Sequence, residues 1–593
     1  MSSPGDSAAS RLRNYYLGYT GVFIALILVL ALLERQGMPP RWIGYAFLFF
    51  TIIIYAAIGI MSRTANVSEY YVAGRRVPAV YNGMATGADW MSAASFISMG
   101  GALYATGYDG LAYVSGWTGG YVLLAVFLAP YLRKFGAYTI PDFLGERYGG
   151  NAARVVGICM AIGASFTYLI AQVTGVGIIM GRFLFMPFNV GVFVGLAGIL
   201  VCSMLGGMRA VTWTQVAQYI ILIIAYLTPI VAMSTKHFGV PIPELMYGQT
   251  LREITRIERE LGVTKLWVDL KPGDMLNWFG LCFCMMVGTA GLPHILMRYY
   301  TTPSVRQARS SVGWSLFFIF LLYFSAPAYA AFAKWTVLTD VIGKKVTDLP
   351  QWIYRWGDTI LGKPVNQLGL FDIVDKNNDG VLQLTDFVIK STDFVVLATP
   401  EIAGLPFVIT GLVMAGGLAA ALSTADGLLL TISNALSHDL YYKIINPNAS
   451  IVKRLTTARL LLVVAAVLGA YVATFRINII VAVVAYAFAL AGSGFFPALV
   501  MGIFWKRANK QGAIAGMIVG FLTALVLIVL GRNWGIYLFG VREISAGLFG
   551  VPIGFLVIWA VSLMFPPPDQ RTQDLVESVR YPKGTTLKVA GVD

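Results

Sequence analysis

One stretch of twelve residues spells out ligands for a hard cation. From Asp375 the chain reads Asp-Lys-Asn-Asn-Asp-Gly-Val-Leu-Gln-Leu-Thr-Asp, ending at Asp386. Oxygen-bearing side chains at the first, third and fifth places, glycine at the sixth and an acid at the twelfth match the calcium loop of an EF-hand. Asp375, Asn377 and Asp379 would coordinate through their side chains, Val381 through its carbonyl and Gln383 through a water. Asp386 stands where that loop has a bidentate Glu, and its shorter arm predicts weak calcium binding or a preference for a smaller ion. The competing reading is an Asn/Asp/Gly-rich turn, which these residue types form readily. The number of matched positions favours metal, and a structural clamp over a switch.

Elsewhere the chemistry is sparse. Three histidines (His237, His294, His438) are too few and too scattered for a His-based catalytic site. Cys159, Cys202, Cys282 and Cys284 all lie in apolar runs, which predicts neither a disulfide framework nor a zinc site. No nucleophile–base pair stands out, so an enzyme is not expected. Two carboxylates, Asp89 and Asp426, fall inside apolar stretches. An ionisable group at membrane depth is a functional candidate by default, here as a tuner of cation affinity or a proton carrier.

The elements that must position these groups are membrane spans. Of 593 residues, 57% are apolar and 12% charged, against about 25% charged in soluble domains. Mean hydropathy is +0.72. A helix needs roughly 18 to 25 apolar residues to cross the ~30 Å hydrocarbon core. Fourteen stretches qualify: 15–34, 43–62, 79–107, 110–132, 155–181, 188–207, 210–233, 273–297, 311–333, 403–436, 456–475, 478–504, 511–531 and 546–565. The expected fold is an all-α polytopic membrane protein. With a cytoplasmic N-terminus, the inside segments collect more than half of the 43 Lys and Arg, among them Arg75, Arg76, Arg133, Arg298, Lys506 and Arg507. This obeys the positive-inside rule and places both termini in the cytoplasm. The net charge of +14 is then mostly a membrane rim and calls for no nucleic acid.

Two spans are poor helices. The third contains Gly83, Gly87, Asp89 and Ser92, and the eighth runs Gly288-Thr289-Ala290-Gly291-Leu292-Pro293-His294. A packing glycine or a proline kink would account for either alone. They lie five spans apart, however, and interrupted helices at matching places in two halves point to a secondary transporter site. Residues 79–233 and 273–504 would form a 5+5 inverted-repeat core, with peripheral helices in 1–78 and 505–565. Extracytoplasmic segments at 234–272 and 334–401 and a cytoplasmic tail at 566–593 complete the division. The calcium-loop motif falls in the second of those segments.

Particular residues now carry a resemblance. Tyr70 to Arg76, Gly87 to Phe96 and Gly206 to Thr214 resemble the sodium:solute symporter family. Tyr108 to Leu111, Leu169 to Gln172, Gly288 to Arg298 and Ser437 to Tyr441 are most similar to its acetate/monocarboxylate permease branch. The resemblance spans roughly residues 65–530. It implies an amino-acid transporter-type fold working by alternating access. It also implies sodium held by the carbonyls of Ala88, Met91 and Ala420 and the hydroxyls of Ser423 and Thr424. Alone, that hydroxyl pair would be read as bonding back to its own helix. Two departures stand out. Gln215 replaces an Asp of many members, as in the acetate branch, and Ser423 and Thr424 replace residues that are apolar in that branch.

The substrate expectation follows from dipoles and the branch. The half-helix starting near Ser92 offers free N–H groups to an anion. Asp89, Ser92, Ser95, Tyr168, Gln172, Gly288 and Thr289 are the candidate contacts, and no Arg or Lys is expected beside them. A small monocarboxylate of the acetate, propionate, lactate or pyruvate class suits such a site. Moved with one sodium it would be electroneutral. Alternatives are proton coupling, an amino acid such as proline, or a transporter-fold sensor acting through a partner. The short tail is too small for a kinase output domain, and the branch implies a small separate membrane subunit as a candidate partner.

Overall fold

The computed structural model describes residues 4–184, 186–269, 275–366 and 368–581. All fourteen expected stretches are mainly helical. Among the described residues, eleven helices are long and apolar enough to cross a membrane, or twelve if one bent pair is counted as a single span. The two broken elements account for part of the difference, because a half-helix is too short to qualify by itself.

The first two are α1 (Pro4–Arg35) and α2 (Pro40–Met61). The broken element follows as α3 (Ala79–Trp90), a π-turn at Ala94–Ser98 and α4 (Met99–Thr106), continuing into α5 (Leu111–Phe127). Met91 leaves helical geometry at φ −75°, ψ 69°. Gly83 in α3 meets the 305–340 helix so closely that a Cβ would lie 2.5 Å from the Trp314 Cβ. Next come α6 (Asn151–Leu184) and α7 (Phe188–Phe238). The latter is kinked at Gly207, whose φ of 54° and ψ of −141° suit glycine and whose Cα faces the Tyr70 carbonyl. The kink divides the two stretches read as 188–207 and 210–233.

An amphipathic helix, α8 (Pro243–Glu260), precedes the second broken element. That element is α9 (Met275–Gly291) and α10 (Pro293–Met297), bent by 42°. Pro293 has no N–H to continue the ladder and fits the first turn of the new helix. The long spans α11 (Val305–Asp340), α12 (Phe407–Asn434), α13 (Ile451–Ala473), α14 (Ile480–Phe504), α15 (Lys510–Trp534) and α16 (Gly547–Met564) complete the bundle. Along its apolar stretch α14 is buried throughout and α12 nearly so, whereas α1 is largely exposed. The central helices therefore build the site and α1 lies at the periphery.

The insertion departs from the all-helical expectation. It holds a small sheet of β1 (Thr359–Ile360), β2 (Lys363–Pro364), β3 (Phe371–Ile373) and β4 (Phe387–Ile389), in the order β2-β1-β3-β4. Only β1 and β3 pair in parallel. Strands of two or three residues are too short for an alternating pattern to be read.

Candidate cation and substrate site

The helix break creates a cluster of carbonyls. In an unbroken helix the Ala88 carbonyl would accept the Ser92 N–H, and the Asp89 carbonyl the Ala93 N–H. Here Ser92 N donates to the Trp90 carbonyl, and Ala93 N to Gln172 Oε1 at 2.8 Å. Hydroxyls from α12 take the vacated places. Ser423 Oγ donates to the Ala88 carbonyl at 2.7 Å and to the Ala420 carbonyl at 2.9 Å. Thr424 Oγ1 donates to the Asp89 carbonyl at 2.7 Å and more weakly to Ala420 at 3.3 Å. Both hydroxyls therefore reach across to α3 as well as back to their own helix. Gln215 fixes the same turn by donating to the Ser423 carbonyl at 2.7 Å. Five neutral oxygens from Ala88, Asp89, Ala420, Ser423 and Thr424 meet in a buried space, which is donor chemistry for a hard monovalent cation. Neither hydroxyl bonds to the Met91 carbonyl; the Asp89 carbonyl stands in the arrangement instead.

The Asp89 side chain corrects one expectation. Its Oδ2 accepts from Arg298 Nε at 2.9 Å, and both side chains are fully buried. Arg298 therefore does not belong to the rim, and the region is not free of cations. The short α10 ends at Met297 and turns the following residues back into the bundle, carrying Arg298 inward. Its Nη1 also donates to Thr212 Oγ1 at 3.1 Å. Gly427 permits the arrangement, since a Cβ there would lie 2.3 Å from Asp89 Oδ1. Asp426 is equally buried; one oxygen is bonded by Ser203, while the other has no hydrogen-bond partner.

The expected substrate contacts divide into two groups. Ser92, Ser95, Tyr168 and Gln172 gather at the break. Ser92 Oγ accepts the Ala94 N–H at 3.1 Å, Ser95 Oγ pairs with Tyr323 Oη at 2.9 Å, and Gln172 caps the new half-helix. Gly288 and Thr289 act as packing. Gly288 lies against Phe488, and Thr289 bonds back to the Met285 carbonyl at 2.6 Å while pressing on Gly120.

Residues missing from the sequence reading line the same region. Trp90 packs edge-on to Tyr121 with centroids 5.0 Å apart, and lies 5.5 Å from Phe488. Trp117 stacks on Tyr323, and Tyr168 meets both Phe488 and His294. Trp90 Nε1, Trp117 Nε1, Tyr121 Oη, Gln172 Nε2 and both His294 nitrogens are buried without hydrogen-bond partners. Buried polar atoms are nearly always satisfied. A ring of aromatic faces with five residues offering an unused N–H or O–H donor therefore suits a small ligand rich in acceptors. His294, directly after the helix-breaking Pro293, carried a signal in sequence; Trp117 and Tyr121 had none among so many aromatic residues.

A second polar cluster joins Asp142, His438 and Asp439, whose ligand atoms lie within 4.8 Å of one another. It is an ionic network. Arg454 sits 3.4 Å from His438 Nδ1 and can only donate, so the ring proton belongs on Nε2, which faces Asp142 Oδ2 at 3.8 Å. Arg154 and Lys443 also face Asp142, at 3.2 and 3.8 Å. Burial pushes the Asp142 carboxyl upward, but these basic neighbours prevail and hold its pKa at about 2.

The calcium-loop motif forms one compact turn, flanked by β3 and β4 where an EF-hand has two helices. Gly380 has φ 74° and Asn378 φ 56°. Asp375 Oδ2 accepts the Gly380 N–H at 3.0 Å, while Oδ1 is buried and unpartnered. Asp379 accepts from Val381 N, Asn377 Nδ2 and Gln383 Nε2, the first of which chiefly lowers its pKa. The buried Asp386 closes the loop by accepting from Gln383 N and Lys376 N.

Comparison with known proteins agrees with this architecture. The sequence pattern of the sodium:solute symporter family matches residues 70–353 and 383–520. An uncharacterized symporter of Cupriavidus necator is 44% identical, over 94% of this chain and 97% of its own. Among solved structures, a Na+-coupled sialic acid symporter in a substrate-bound outward-open state superposes with a TM-score of 0.66 at 18% identity. That match covers 89% of this chain and 98% of the other.

Proposed function

The chain belongs to the sodium:solute symporter family, and from that premise we propose that it carries a small monocarboxylate together with sodium. That it is a multi-pass, sodium-coupled symporter and not an enzyme follows from the family. The site and the substrate class are our reading. The observation that carries it is the pair of bonds from Ser423 and Thr424 to carbonyls released by the break in α3. We assign sodium to the oxygens of Ala88, Asp89, Ala420, Ser423 and Thr424, with Met91 at the edge of that set.

The substrate lies, in this reading, between the half-helix at Ser92 and the aromatic ring around Trp90. The unused donors of Trp90, Trp117, Tyr121 and Gln172 would receive carboxylate oxygens. Arg298 is paired with Asp89, so although its Nη2 has no hydrogen-bond partner its charge is already balanced, which favours a monoanion. One sodium with one monoanion would be electroneutral. The membrane potential, about 2.3 kcal/mol per charge per 100 mV, would then contribute nothing. Uptake of radiolabelled acetate and pyruvate into proteoliposomes, with and without a sodium gradient, tests the substrate class. Transport of proline but of neither acid would replace it with the amino-acid reading.

We further place the insertion outside the cell, both termini in the cytoplasm, and a weak calcium ion in the loop. Asp375, Asn377, Asp379, Val381, Gln383 and Asp386 would hold it; the buried, unpartnered Asp375 oxygen supports this. Calcium titration of the thermal midpoint tests the assignment, and a midpoint indifferent to millimolar calcium would remove it.

A further inference from the structure

Besides the Arg182–Glu401 ion pair and the bond from Arg476 to the Leu368 carbonyl, the insertion is fastened to the core through a buried carboxylate that meets the broken helix. Asp393, near the insertion's end, is only 2% exposed. Its Oδ1 accepts the Ser98 hydroxyl at 2.5 Å, and its Oδ2 accepts the Ile480 N–H at 3.1 Å. Ser98 Oγ in turn accepts the Val481 N–H at 3.0 Å. Ser98 ends the π-turn that opens the second half of the broken helix. Ile480 and Val481 begin α14, where the first N–H groups of a helix have no partner of their own. Three elements thus converge on two side chains. The backbones are equally tight: a Cβ on Gly101 would lie 2.2 Å from the Thr392 carbonyl, and one on Gly100 2.4 Å from Val396.

A cavity of about 500 Å³ adjoins this junction, lined by Ala102, Tyr113, Lys390, Thr392 and Ile479 among others. Tyr113 packs 5.5 Å from Trp117, which belongs to the aromatic ring of the candidate substrate site. The junction therefore stands between a cavity at the insertion's end of the bundle and the site below it.

We propose that Asp393 is a positioning residue of the transport cycle, a latch that keeps the insertion's side of the pathway closed by tying the half-helix to α14. A carboxylate suits the task because it accepts at both oxygens and donates at neither. Opening that side separates Ser98 from α14 and must break the bonds together. The proposal rests on the reading that the insertion lies outside. It goes beyond a simple helix cap: Ser98 and Asp393 each accept an N–H from the first turn of α14, but the bond between the two side chains also ties the insertion to the half-helix.

The test uses the full-length protein with its native cysteines replaced and one cysteine introduced by Ala102→Cys, at a buried position of the cavity wall. A membrane-impermeant maleimide is applied to right-side-out and to inside-out vesicles. The latch predicts that D393N and S98A each speed labelling by about tenfold, the weight of one charge-assisted hydrogen bond in an opening equilibrium. S98A removes a single oxygen, which guards against misreading a folding defect in D393N. Unchanged labelling in both variants overturns the latch, as does acceleration in D393N alone, which would reduce Asp393 to a cap of α14. Acceleration by both variants from inside-out vesicles only would uphold the latch and refute the orientation.

Discussion

The core site and the insertion loop gather oxygen atoms in opposite ways. In the loop, six candidate ligands come from twelve consecutive residues, and the geometry is enforced by local bonds such as Gly380 N to Asp375. In the core, Ala88 and Ser423 are 335 residues apart in sequence and meet only because a helix breaks. The loop offers carboxylates near water, suited to a divalent ion held weakly. The core offers neutral carbonyls and hydroxyls, with its buried charges Asp89 and Arg298 spent on each other. A neutral, dry cage that forms at a helix break can be dismantled by a small movement, which a transporter requires and a structural clamp does not.

The largest effect should come from unbalancing the core. Arg298→Ala leaves Asp89 buried and unpaired, at a cost of about 3–5 kcal/mol, and should abolish uptake. Combining it with Asp89→Asn removes the stranded charge and should restore much of the thermal stability. Equal losses in the single and double variants would mean that Arg298 matters for packing, not for charge.

A smaller effect separates two carboxylates that are both held in their ionised form. Asp142 is buried among basic groups with a pKa of about 2, below its ordinary 3.8. Its contribution of about 2 kcal/mol is present above pH 4 and disappears as pH falls through 2. The stability gap between wild type and D142N should therefore be full at pH 7 and narrow on acidification. Asp379 is lowered by local hydrogen bonds but is fully exposed, so D379N should show no comparable gap. A gap that widened in acid would contradict the ion-pair account of Asp142.

The smallest effect on transport should come from the loop. D375A with D379A should eliminate any calcium-induced rise in thermal midpoint while leaving the initial rate of sodium-driven uptake unchanged. A large fall in uptake would make the loop part of the transport machinery.

What could be read from sequence follows the same division. Hydropathy is a local property, and all fourteen apolar stretches fall in helical regions. The calcium-loop motif was legible because its positions are contiguous. The break at Gly87–Ser92 was visible, yet Ser423 and Thr424 entered the site only through a family resemblance, since nothing local distinguishes them from hydroxyls bonded to their own helix. Arg298 misled because a basic residue near the end of a span normally belongs to the rim; only the bend at Leu292 carries it inside. Gly288 and Thr289 lie just ahead of that bend, where they pack against Phe488 and Gly120. Trp117 and Tyr121 owe their role to which helices meet, and the strands of the insertion are too short to show a period.

The central claim is that sodium is bound where Ser423 and Thr424 meet the break in α3. The most direct test is sodium-dependent uptake of acetate and pyruvate by the wild type and by S423A/T424A in proteoliposomes, with purified protein checked for equal folding. The account predicts sodium-driven uptake in the wild type and its loss in the double variant. Sodium-driven uptake that survived removal of both hydroxyls would contradict it.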